Sequence, residues 1–182
     1  MPSSNNDSTT ALKKVIILAI FAAVAVVLSI VEAMIPVSFS IPGAKLGLAN
    51  IMVLTCLYFL NGKDTLTLVV LKTILTSFIF GTFSSFLFSF FGAMASFVVM
   101  YVLMKLGRNQ LSLIGISIAG GLAHNTGQLA AAMIVLKSSA IFYYLPALML
   151  TGIATGIFVG IAVKYLVNSL SKLSLFEAFK PE

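Results

Sequence analysis

The only histidine of the chain, His124, stands in the run GGLAHNTGQLAAA (residues 120–132), with Asn125 and Gln128 close behind it. On a helix, His124 and Gln128 are four apart and Asn125 and Gln128 three apart, so these pairs project from neighbouring positions. Together they offer several hydrogen-bond donors and acceptors. Gly120, Gly121 and Gly127 leave room for a neighbouring helix or a ligand. Two chemistries fit: hydrogen bonding between helices with nothing bound, or a polar pocket for a small molecule. Taken singly, each residue points to the first; the cluster of three points to the pocket. A metal site is not expected, because one histidine with no carboxylate or thiolate beside it does not complete a ligand set.

Three other places carry chemical potential. In PGAKLGLAN (42–50), Lys45 sits at the mouth of an apolar run, and Gly47 and Asn50 lie deeper, near one face. Lys45 either snorkels to the interface or meets an anionic group arriving from outside. Lys72 lies well inside another apolar run, where a charge costs roughly 2.5–3.5 kcal/mol at the bilayer centre. It either pairs with Glu32 or faces a ligand. The aromatic run FSSFLFSFF (83–91) holds Phe83, Phe86, Phe88, Phe90 and Phe91. Most belong in the core or against lipid, and some could stack on a flat ring or an isoprenoid tail.

Missing motifs exclude several activities. No G-x-x-x-x-G-K-[ST] loop is present, so ATP hydrolysis by that device is excluded. The only aspartates, Asp7 and Asp64, are far apart, whereas prenyl-diphosphate chemistry uses clustered aspartates to hold magnesium. There is no Ser-His-Asp set, and Glu32 is the only acid inside a span. The expectation is a protein that makes and breaks no bonds and uses no cofactor.

The elements that must position these groups follow from composition. The chain has 182 residues, 60% hydrophobic and 9% charged, with a mean hydropathy of +1.12. Soluble domains carry about 25% charged residues, so the class is a polytopic membrane protein. The net charge of +6 does not indicate nucleic acid, because the basic residues are scattered singly or in pairs between apolar runs. A lone Cys56 permits no internal disulfide. Six apolar runs predict six transmembrane helices at about 13–35, 45–61, 65–81, 84–106, 112–136 and 143–168. Pro36, Pro42-Gly43, Asn61-Gly62-Lys63-Asp64, Gly81 and Gly107-Arg108-Asn109 mark the breaks. The fold expected is all-α, with a disordered segment at 1–11, a membrane domain at 12–168 and a tail at 169–182. That tail is read either as a short amphipathic helix or as frayed chain. Lys13, Lys14, Lys63, Lys105, Arg108, Lys164, Lys172 and Lys180 fall on one side, against Lys45 and Lys137 on the other. The positive-inside rule therefore puts both termini in the cytoplasm. Gly152, Gly156 and Gly160 form a smooth stripe on the last helix, read first as internal packing, and Ala19 and Ala23 a small-residue patch on the first.

PGAKLGLAN and GGLAHNTGQ, with FGTFSSFLFS between them, resemble the bacterial Gx transporter family, also called heptaprenyl diphosphate synthase component I, over roughly residues 12–168. That family in turn resembles the S components of energy-coupling factor (ECF) transporters. The resemblance implies a six-helix subunit in the bacterial cytoplasmic membrane that binds a vitamin-like or quinone- or isoprenoid-related compound from outside. It implies a lid at Val37 to Ala44, and docking of Ala19 and Ala23 on a T component served by two ATPases. On this expectation His124, Asn125 and Gln128 bind the polar part of the ligand, with Asn50 facing them. Lys45 and Lys72 supply positive charge for an acidic group, and Phe83 and Phe86 cover a ring. The alternative expectation is a non-catalytic membrane subunit of a polyprenyl diphosphate synthase.

Overall fold

The computed structural model describes residues 3–34, 47–80, 83–107 and 110–179. Apart from short turns these are helical, with six α-helices: α1 (Ser3–Met34), α2 (Asn50–Phe59), α3 (Gly62–Phe80), α4 (Phe83–Gly107), α5 (Leu113–Leu136) and α6 (Leu145–Leu170). Short 3-10 helices, Ser139–Tyr144 and Ser174–Phe179, lead into α6 and follow it. Three helical stretches are long and apolar enough to cross a membrane: Ser8–Met34, Phe83–Gly107 and Ser139–Leu170. The architecture is that of a helical membrane protein, as the composition demands.

The remaining α-helices differ for identifiable reasons. α3 carries Lys63, Asp64 and Lys72, and α5 carries His124, Asn125 and Gln128. Thus the helices with the least lipid-like composition are those that bear the polar groups. α2 has only 10 residues, about 15 Å of helix, half of a hydrocarbon core. It packs against α1, α3, α4 and α6, and all its residues except Tyr58 are buried. A helix so enclosed can be apolar all round.

Successive helices alternate in direction. Lys14 at the start of α1 pairs with Asp64 at the start of α3, 2.8 Å apart. At the opposite end, Glu32 near the end of α1 meets the chain entering α2. Lys13, Lys63, Lys105, Lys164 and Lys172 all lie toward the Lys14–Asp64 end, and Lys137 terminates α5 at the other. Arg108, Lys180 and Lys45 lie outside the described residues.

α5 and α6 pack closely because both faces are lined with small residues. A Cβ on Gly121 would stand 2.6 Å from the Gly152 carbonyl oxygen. One on Gly156 would stand 2.6 Å from Ile118 Cα, and one on Gly160 2.6 Å from Ile114 Cα. The stripe thus serves internal packing, with α5 and α6 antiparallel in register. In contrast, Ala19 and Ala23 are exposed on α1, beside the exposed Ile16, Ile20 and Val24.

The larger apolar core fills the half of the bundle nearer Lys14–Asp64, and a smaller one, with Phe88, Leu129, Ile141 and Leu148, lies toward the other end. The larger core gathers Ile17 and Phe21 from α1, Val53, Leu54 and Cys56 from α2, Leu68 from α3, Met100 from α4 and Val163 from α6. Phe176 of the final 3-10 helix joins it, with ring centroids 4.8 Å from Phe59 and 6.0 Å from Phe21. The tail is therefore docked rather than frayed, because Phe176 has an aromatic slot to fill. At the other terminus, α1 extends back to Ser3 through the stretch that the sequence reads as disordered. A helix already nucleated propagates by adding one hydrogen bond per residue.

Candidate ligand-binding site

The polar groups collect in the other half of the bundle, around a small cavity of about 30 Å³ that is partly open to the exterior. Five helices or their leads contribute to it. α1 supplies Ser29 and Glu32, the entry to α2 supplies Gly47 and Ala49, α3 supplies Lys72, Thr73 and Thr76, α4 supplies Ser89 and Ala93, and α5 supplies His124. Two ionisable side chains at membrane depth, Glu32 and Lys72, thus share one polar enclosure, as their desolvation cost requires.

Glu32 has a defined structural task. Its two oxygens accept from the backbone N–H of Gly47 at 2.6 Å and of Leu48 at 3.0 Å. These amides precede α2 and have no partner within it. Gly47 has φ +89°, in the left-handed region where only glycine is unstrained. This glycine and this carboxylate together fix where the chain enters the central helix.

Lys72 reaches Asn50, its Nζ 3.5 Å from Oδ1, and the Asn50 amide nitrogen donates to Ser96 Oγ at 3.2 Å. Asn50 therefore ties α2 to α3 and α4 one layer below the cavity, and is not part of its lining.

Of the three polar residues of α5, His124 and Gln128, four apart, share the face toward Gly92 of α4, whereas Asn125 is turned away by about 100°. His124 faces the cavity, its imidazole accommodated between two glycines. A Cβ on Gly47 would lie 3.5 Å from His124 Cδ2, and one on Gly92 would lie 3.2 Å from His124 Cε1. Asn125 turns to α6 and donates to the Leu148 carbonyl at 2.6 Å. Gln128 turns to α4, where a Cβ on Gly92 would meet its Cγ at 2.6 Å. All three are buried, but only His124 lines the cavity.

Of the other residues singled out, Lys45 and the Val37 to Ala44 loop lie outside the described residues. Phe83 is 75% exposed, and Phe86 stacks toward it at 6.3 Å; neither lines the cavity. Ser29, Thr73, Thr76, Ser89, Gly92 and Ala93 were not singled out by the sequence. A usable signal exists for some of them: Ser29 lies three residues from Glu32, and Thr76 four from Lys72, each on the same face as the buried charge. Ser89 is hidden inside an aromatic run.

The arrangement can hold a compact polar group between an ammonium, an imidazole and several hydroxyls, in a setting where each hydrogen bond is strengthened by low dielectric. Among the described residues, no group of three or more His, Cys, Asp or Glu side chains is placed to hold a metal ion. A family model described as heptaprenyl diphosphate synthase component I matches residues 21–166, which takes in every described residue of this site. No curated protein and no solved structure matches the chain.

Proposed function

The chain belongs to the heptaprenyl diphosphate synthase component I family, and from that membership and the cavity we propose that it is a non-catalytic, membrane-embedded subunit that captures a small molecule for an ECF-type importer. The single observation that carries this reading is the polar cavity in an otherwise apolar bundle, with Lys72 and His124 on its wall. Ligand sites are concave and place a few polar groups to fix orientation, the role that Lys72 and His124 would take in this cavity. Lys72 supplies positive charge for an acidic group on the ligand, and His124 a hydrogen bond. The gathering of lysines at the far end supports a cavity facing outward, with both termini in the cytoplasm. The exposure of Ala19 and Ala23 supports docking of α1 on a T component coupled to two ATPases, because small side chains let a second helix approach closely.

The test is to purify the protein from a bacterial membrane and identify the co-purifying small molecule by mass spectrometry. His124→Ala and Lys72→Gln are expected to lose that molecule while eluting as the folded protein. Retention of it at full occupancy by both variants removes the site.

A second reading is favoured by the family's name: a membrane accessory subunit of a heptaprenyl or other polyprenyl diphosphate synthase. It predicts co-purification with a soluble, aspartate-rich synthase, and Lys72 variants that change product length and leave uptake unaltered.

A further inference from the structure

One hydroxyl on the cavity wall differs from the rest. Ser29 donates its proton to the Ala25 carbonyl at 3.0 Å, Thr73 to Val69, and Thr76 to Lys72 at 2.9 Å. Bonded back onto their own helices, these three turn only lone pairs toward the cavity. Ser89, on the α4 wall, is 8% exposed, and its Oγ has no hydrogen-bond partner. A buried hydroxyl left this way is costly, and its proton is available to a guest.

We propose that Ser89 is a further ligand-contact residue, donating its hydroxyl proton to an oxygen of a compact head group that carries a single negative charge, a carboxylate. The proposal rests on the reading of the cavity as a ligand site and gives that ligand a chemical class. Among the described residues, the lining brings one ammonium, Lys72, one carboxylate, Glu32, and one imidazole, His124. The lone pairs of Ser29, Thr73 and Thr76 add negative potential. A multiply charged diphosphate placed there would face Glu32 and those oxygens with one ammonium to offset it. A carboxylate needs only what is present: a cation at one oxygen and a hydroxyl donor at the other. The cavity's volume of about 30 Å³ takes only a small head, with the larger apolar part directed out of it.

The experiment uses the full chain in lipid nanodiscs, with benzoate and inorganic diphosphate as probes. First, Ser89→Cys is made in a Cys56→Ser background and exposed to a water-soluble methanethiosulfonate. Modification is expected; an inert thiol shows a cavity closed to water and overturns both this proposal and the reading on which it rests. Second, radiolabelled benzoate binding is measured for the unaltered chain, Ser89→Ala and Ser89→Thr. Ser89→Ala is expected to weaken benzoate about tenfold or more, the loss of one hydrogen bond to a charged acceptor. Ser89→Thr is expected to restore most of it. Inorganic diphosphate is expected not to compete. Failure of benzoate to bind, equal binding by Ser89→Ala, or competition by diphosphate overturns the proposal while the reactive thiol keeps the ligand-site reading intact.

Discussion

Glu32 illustrates how a buried acid can be structural in a protein whose sequence offers it as a partner for a buried lysine. Its carboxylate holds two backbone amides at the mouth of α2, and hydrogen bonds to a charged group contribute about 1.5–3 kcal/mol each. Glu32→Gln keeps the size but replaces one acceptor with a donor facing an N–H. It is therefore expected to lower the detergent-solubilised melting temperature more than a conservative change at the exposed Lys164, as thermal denaturation would show. Gly47→Ala is expected to cost about 1–2 kcal/mol from the left-handed backbone alone, with a Cβ 3.0 Å from Asn50 Nδ2 adding crowding. Gly92→Ala crowds α4 against α5: its Cβ would fall 2.6 Å from Gln128 Cγ and 3.0 Å from the His124 carbonyl oxygen, so a lower melting temperature is expected together with loss of the co-purifying ligand. At this scale the sequence was half legible. It marked His124, Lys72 and Glu32 by the cost of burying them. It did not mark where each side chain points, because spacing along one helix shows adjacency but not which neighbouring helix is faced. Hydroxyls with no buried charge on the same face were illegible for a related reason: Ser and Thr that bond their own backbone are equally tolerated against lipid and against a cavity.

The helices themselves were legible wherever composition is uniform. α4 and α5 lie within two residues of the spans expected, because long apolar runs with polar breaks admit few alternatives. α2 was overestimated at its start: residues Gly47 to Ala49 form the turn that Glu32 holds, and helix begins at Asn50. Close packing of α5 on α6 follows from Gly121, Gly152, Gly156 and Gly160. Gly121→Leu and Gly156→Leu are each expected to force backbones apart and abolish the folded monodisperse species in gel filtration, whereas Ala19→Leu, on the exposed face of α1, is expected to leave it intact. The short 3-10 helix after α6 was only partly legible, since SLFEAF carries one buried aromatic among exposed neighbours. Phe176→Ala removes a ring wedged between Phe21 and Phe59, for which the usual loss is about 3–5 kcal/mol. A comparable drop in unfolding free energy is expected by denaturant titration.

For the molecule as a whole, the two halves of the bundle divide the work. The lysine-bearing half holds the larger apolar core, and the other half holds the polar cavity beside a smaller apolar cluster. The topology is open to direct measurement. In a Cys56→Ser background, Lys13→Cys and Lys172→Cys are expected to react with an impermeant thiol reagent only from the cytoplasmic face, and Lys137→Cys only from the opposite face. Beneath Lys72 and His124, the route onward is occupied by Val53, Leu54, Cys56, Leu68 and Met100, each at most 1% exposed, with Phe176 tucked in behind. The proposed guest would therefore sit in a cup with a solid floor. On the proposed function, emptying it toward the cytoplasm would take a movement of the whole cup, and vesicles holding the chain alone are expected to be as tight to small solutes as bare lipid, as a solute-flux assay would show.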